Sequence, residues 1–484
     1  MGVLLVGLCF AANASANTAG LKDSSLRSGV WIGAAMDSSQ PLDQQADLKQ
    51  HFTALTSENA FKWGEMESTQ GQIDWSATDR IVSFAQENHL RLRAHTLFWH
   101  RMQNPSWVRN QVQSSANPKS KLFEIMDQRV SQVMGRYKGH IDVWDVINEP
   151  LRMDGQGWDL SDGASGPANF FYLAAGEDYI DHAFKAARRA DPHAKLFLNE
   201  YISRPALDDP KSQVLLGLVA RLKARGVPLD GVGLQMHGLG SLISPWFSAS
   251  TNELRLYIRR LAILGVKVEI TEMDISLPAV IKDFGKPGMT NGQHLELQAQ
   301  LYRQVARACA LEQSCSGVTV WGLRDKDSWL NSFVPGGPHR PLLLDDTGLP
   351  KPAYYSLAQA LLSRCQHSTQ RLCSEPWPNP FDLGAPYPGV SCRDCIRPHL
   401  KHKLVQLDPR AWKWRRTVMG YSYYWMQSVK GSNRGYKTIP GSKNKPWLRA
   451  SSGQVARWVK VCLRANNEYG ASRMVCTAAR GPFR

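Results

Sequence analysis

The sequence predicts an α/β fold, a (β/α)8 barrel that occupies roughly the first three-quarters of the chain. Three observations predict it. Short apolar runs recur with helical stretches between them, there are eight of them, and seven are followed at once by polar or aromatic groups suited to chemistry. Their spacing of about 25 to 50 residues fits strand, crossover helix and strand again. Eight such units in about 330 residues favour closure into a barrel over an open sheet.

Taken in order, the first run is Trp31–Met36. The second, Ala54–Thr56, leads into Glu58, Asn59, Lys62 and Trp63, and the third, Leu92–Leu97, carries His95 and leads into Trp99 and His100. The fourth, Ile141–Ile147, runs into Asn148 and Glu149, and the fifth, Leu196–Leu198, into Asn199, Glu200 and Tyr201. Val232–Leu234 precedes Gln235 and His237, Val266–Thr271 precedes Glu272 and Asp274, and Val318–Trp321 ends on Trp321 itself. Between them, Tyr179–Ala190 and Ser212–Ala224 space apolar residues three and four apart, as surface helices do.

In a barrel the C-terminal strand ends converge on one face, where the loops build the site. Carboxylates and amides there pair with hydroxyls, while indole faces lie against the apolar faces of sugar rings. A single His or Trp after a strand is more often packing than chemistry, and Trp75 and Trp107 read that way. The concurrence of seven strand ends does not.

Glycoside hydrolysis needs one carboxylic acid to protonate the leaving oxygen and one carboxylate across the sugar from it. Glu149 and Glu272 are the candidates, each following a buried strand that fixes its backbone. The fourth and seventh strands are expected on opposite sides of the barrel. Asn148 stands where its amide would hold a sugar hydroxyl, and His237 where it would donate to Glu272 and keep it ionised.

Composition is compatible with this reading. The 484 residues are 43% hydrophobic and 21% charged, enough for a large core. No apolar run is long enough to cross a membrane. Residues 1–16 have the apolar stretch Val3–Ala12 followed by Ala14-Ser15-Ala16, which reads as an export signal although no Lys or Arg precedes it. The other reading is a frayed N-terminus. Export predicts a secreted or periplasmic protein and leaves eight of the nine cysteines. Cys309 and Cys315 are the expected disulfide pair, closing a tight loop before the eighth strand.

The motifs resemble those of family 10 glycoside hydrolases. The resemblance is carried by Glu58–Trp63, His95–His100, Trp144–Glu149, Gly233–His237, Ile270–Ile275, Val320-Trp321-Gly322, Asp327-Ser328-Trp329 and Lys351–Tyr354, in the family's order, over roughly residues 27–363. It implies endo-hydrolysis of β-1,4-xylosidic bonds in xylan by double displacement, with Glu149 as acid/base and Glu272 as nucleophile. It also implies that Glu58, Asn59 and Lys62 hold the xylose two units toward the non-reducing side. His95, Trp99, Asn148, Gln235, His237 and Trp321 would line the cleavage site, Trp329 would cover it, and Asp274 would support it. One departure is Asn199-Glu200-Tyr201-Ile202, where the family usually has Asn-Asp-Tyr-Asn on the leaving-group side. No cofactor or metal is expected, and the chain is expected to act as a monomer on xylan or xylo-oligosaccharides. A β-1,4-glucanase on the same barrel and a catalytically silent carbohydrate-binding protein are the rival readings.

The catalytic barrel is expected over 17–363, a Pro-rich linker over 364–390 and a basic aromatic tail over 391–484. The net charge of +16 resides in that tail, which holds 20 Lys and Arg against three acids, while the rest has 38 basic and 39 acidic residues. Trp412, Trp414, Trp425, Trp447 and Trp458 accompany the charge. Disorder or non-native sequence, a carbohydrate-binding module and, last, nucleic-acid binding all fit this composition.

Overall fold

The computed structural model describes residues 20–366 except 153, 156, 161–167, 203 and 239–250, and beyond them only the backbone of short strands between 388 and 476. Strands β1 (Trp31–Met36), β2 (Ala54–Ser57), β3 (Arg91–Trp99), β4 (Val143–Asn148), β5 (Lys195–Glu200) and β6 (Gly231–Leu234) pair in parallel, each with the next. A two-residue strand, β7 (His237–Gly238), continues the sixth position and pairs with the upper part of β8 (Lys267–Ile275). The ring closes where β8 pairs with β6, and β9 (Cys315–Val320) with both β8 and β1. This is an eight-position (β/α)8 barrel.

The strands read as nearly continuous apolar runs because helices cover their outer faces and side chains fill the interior. Two glycines of β6 serve that interior. A Cβ at Gly231 would collide with the Phe197 ring, and one at Gly233 with the Asn199 side chain. Lower in the barrel, Arg91 and Arg93 both reach Glu269, and Arg93 also pairs with Asp145. Burial alone would raise the Glu269 carboxyl, but the two guanidiniums outweigh it and hold it at about 2. Buried charges persist only when paired in this way.

Helices Asp178–Ala190 and Pro210–Ala224 lie where the periodicity places them. Asp209 caps the second, accepting the Ser212 N–H, with Pro210 in the first turn. The helix Asn291–Ala310 begins with a reciprocal Thr290–Gln293 capping box. It packs against the closing helix Pro352–Leu361, which the short helix Ser363–Gln366 follows.

Three expectations change. First, β8 extends to Ile275, so Glu272 and Asp274 lie inside the strand instead of beyond it. Second, β4 and β8 are not opposite each other. They are three places apart round the ring, with β5 and β6 between them. Third, Arg364, read as the start of the linker, is tied to the barrel: it donates to the carbonyls of Cys309, Ala310, Glu312 and Cys315 at 2.7–3.1 Å. The same corner holds the sulfurs of Cys309 and Cys315, 2.04 Å apart.

In the tail, strand Gly420–Gln427 pairs antiparallel with Val459–Asn467, and the register sets Cys462 opposite Cys476. No clear alternation marks the first of these strands in the sequence, because Tyr423, Tyr424 and Trp425 follow one another without a polar break. The export leader and residues 367–387 of the expected linker lie outside the described residues. Among the described residues, no helix is long and apolar enough to cross a membrane.

Candidate active site

The strand ends bring Glu149 and Glu272 to one face of the barrel. Glu149 is the first residue after β4 and has a left-handed backbone, φ 48°, while its N–H donates to the Asn199 carbonyl at 2.9 Å. Such a backbone is costly for a residue with a Cβ and turns the side chain off the line of the strand. The Glu149 side chain keeps 15% of its surface open and the Glu272 side chain 6%.

Side chains at the ends of β5 and β6 link the two carboxylates by way of Asn148. Gln235 Nε2 donates to Glu149 Oε1 at 2.9 Å. Asn199 Nδ2 donates to both Asn148 Oδ1, at 2.8 Å, and Glu272 Oε1, at 2.6 Å. Thr271 Oγ1 donates to Asn199 Oδ1 at 2.7 Å, which sets the amide so that its nitrogen faces Glu272. The missing Cβ at Gly233 leaves room for that amide. Asn199 and Thr271 were not among the candidate ligands. The amide at a strand end was a visible signal for Asn199, but nothing local distinguished Thr271 from a packing residue.

Glu272 is also held by histidines. His237 Nε2 lies 3.0 Å from its Oε2, and the other ring nitrogen lies 3.0 Å from Asp274 Oδ2. Burial pushes the His237 imidazole down, yet Asp274 and Glu272 together outweigh it and raise it to about 10. Burial likewise pushes the Glu272 carboxyl up, but His95, His237 and Asn199 bring it below its ordinary value. The result is an ionised carboxylate beside an imidazolium. His95 is held in turn by Asp145, 3.0 Å from its Nδ1.

Aromatic rings wall the cleft. Trp321 meets the edges of His95 and His237 at 5.1 and 6.2 Å between centroids. Trp329 donates its indole N–H to Asp274 at 2.7 Å and packs beside His237. The Tyr201 ring lies along His237, and neither its buried hydroxyl nor the Trp99 indole nitrogen has a hydrogen-bond partner among the described residues. Buried polar atoms left in this way are natural contacts for ligand hydroxyls. Lys62 stands over the Trp99 ring at 5.3 Å and donates to Asn59 Oδ1 at 2.9 Å. Nearby, burial raises Glu58 to about 7, with Lys62 opposing it.

Glu200 takes no part in the cleft. It is fully buried, its Oε2 accepts the Leu151 N–H at 3.1 Å, and its Oε1 meets Lys211 Nζ at 2.9 Å. The longer acid at this position therefore supports the chain just beyond Glu149. Trp75 and Trp107 pack against Tyr137 and Trp63 respectively, as structural residues. Among the described residues, no group of three or more His, Cys, Asp or Glu is arranged to hold a metal ion.

A parallel barrel presenting one ionised, histidine-backed carboxylate and a second, more open one in an aromatic cleft is the framework of a glycoside hydrolase. The profile of Glycosyl hydrolase family 10 matches residues 20–360, and the chain belongs to that family. It is 37% identical over 318 residues to endo-1,4-beta-xylanase 3 of Hypocrea jecorina, covering 66% of this chain and 76% of that protein. It is 34% identical over 336 residues to the beta-1,4-xylanase of Dictyoglomus thermophilum, covering 68% and 87%. Among solved structures, the family 10 enzyme of Paenibacillus barcinonensis superposes with a TM-score of 0.60 at 31% identity, over 70% of this chain and 97% of that one. Xylanase 10B of Thermotoga petrophila, solved with xylobiose, gives 0.61 at 27% identity, over 72% and 98%.

Proposed function

We propose that the protein hydrolyses internal β-1,4-xylosidic bonds of xylan with retention of anomeric configuration. The carrying observation is the asymmetric pair of carboxylates. Glu272 is held ionised between His237, Asn199 and His95, as a nucleophile requires. Glu149 is the more open of the two, as a group that exchanges protons with the leaving oxygen and with water requires. In the first step Glu272 attacks the anomeric carbon while Glu149 gives its proton to the departing oxygen. In the second, water attacks the glycosyl-enzyme ester, Glu149 takes its proton, and Glu272 leaves as carboxylate. Asn148, Gln235, His95, Trp99, Tyr201, Trp321 and Trp329 contact the sugar at the cleavage point. Glu58, Asn59 and Lys62 hold the ring two units toward the non-reducing end.

Xylan and xylo-oligosaccharides as substrates are supported by the named activities of the relatives and by xylobiose in the Thermotoga petrophila structure. Parallel assays on xylan and carboxymethylcellulose test the reading. Release of reducing sugar from xylan is expected, and a clear preference for the cellulose derivative would overturn it. The apolar leader supports export to a secreted or periplasmic location, where a Cys309–Cys315 disulfide is stable.

A further inference from the structure

We propose that Arg101, locked in place by Asp159, is a positioning residue that aims the Glu149 carboxyl at the leaving oxygen. The inference rests on the acid role proposed above for Glu149. Arg101 Nε lies 3.4 Å from Glu149 Oε2, while Gln235 holds the other oxygen at 2.9 Å. The two carboxyl oxygens thus meet different partners, a hydrogen bond on one and an ion pair on the other. Arg101 is itself fixed: one terminal nitrogen lies 2.6 Å from Asp159 Oδ2 and donates to the Leu151 carbonyl at 3.0 Å. The contact with Glu149 is an ion pair, which draws Oε2 toward the guanidinium edge without a directed hydrogen bond.

Charge balance explains why two residues are needed. Arg101 and Asp159 are both almost fully buried, with side-chain exposures of 7% and 3%. A lone buried guanidinium is costly, and Asp159 supplies an opposite charge that offsets Arg101. The neighbouring His100 adds no charge, since burial first, then Arg101 and Arg109, push it down to about 3. The arrangement joins the segment after β3 to the loop after β4, which is the loop that carries the acid.

Leaving-group dependence separates this role from a merely structural one, because acid assistance matters for a sugar leaving group and little for a dinitrophenolate. The test compares kcat/KM on xylotetraose and on 2,4-dinitrophenyl xylobioside for the full chain, R101M, D159N and E149A. R101M should lose about tenfold or more on xylotetraose, within the range of general-acid contributions, and stay within about threefold on the aryl glycoside. D159N, which does not touch Glu149, should show the same selectivity more weakly. Equal losses on both substrates, or none on either, would overturn the proposal, and D159N decides the matter if R101M does not fold. E149A tests the underlying assignment. If E149A shows no leaving-group selectivity, the acid role fails; if it does and the Arg101 and Asp159 variants do not, only the present inference fails.

Discussion

The Glu200 carboxylate accepts the Leu151 N–H at 3.1 Å, so a residue closing β5 fixes the chain two residues beyond Glu149. Its counter-ion, Lys211, comes from the first turn of the following helix and is 4% exposed. Burial pushes Glu200 up, and Lys211 opposes that push. Lys211→Met should therefore destabilise the fold by roughly 3–5 kcal/mol in denaturant unfolding, the usual cost of stranding one member of a buried pair. Adding Glu200→Gln should recover part of that loss. A double variant no more stable than Lys211→Met would show that the pair is not the source of the effect.

The His237 imidazole gives stability a pH dependence of known sign. Its folded value of about 10 stands above the ordinary 6.5, so the protonated form is favoured by folding. Its contribution is complete below about pH 6.5 and is lost as pH rises through about 10. The stability gap between the unmodified protein and His237→Gln should be constant at acidic pH and narrow across that window. A gap that stays level from pH 6 to 10.5 would count against the imidazolium.

Replacing Glu272 should leave a space that a small anion can use. Glu272→Ala should lose xylan hydrolysis, and azide should restore turnover with formation of an α-glycosyl azide, identified by NMR. A β-azide from this variant would mean that Glu272 is not the nucleophile.

The described barrel extends past Ser363 because Arg364 satisfies four carbonyls beside Cys309 and Cys315. A chain ending after Gln366 should cleave soluble xylo-oligosaccharides within about twofold of the full chain, a barrier change of ~0.4 kcal/mol. Arg364→Ala should cost roughly 2–3 kcal/mol of stability, as charge-assisted bonds to buried acceptors do. Any loss on truncation should appear on acidic, insoluble xylan and shrink with added salt, since exposed tail charges are screened. Collapse of oligosaccharide cleavage in a folded truncated protein would place the tail at the site.

Much of the barrel was legible because strand identity is local. Apolar runs such as Val266–Thr271, and the acids and amides just beyond them, reveal both the strand and the face on which its chemistry emerges. Read in this way, Glu149, Glu272, Asn148, Gln235 and His237 stand at strand ends, and the structure gathers them on one face. What tertiary structure alone decided are contacts between residues far apart in the chain. The ring order sets β5 and β6 between the two acids, which is why Asn199 and Gln235 link them by way of Asn148, with Gln235 reaching across 86 residues to Glu149. The direction of Glu200, turned to meet Lys211, is a second such case, and the hold of Arg101 on Glu149 a third. Side-chain alternation along a strand is written in the order of residues. Which neighbour each side chain meets depends on the register between strands, and only closure of the barrel sets that register.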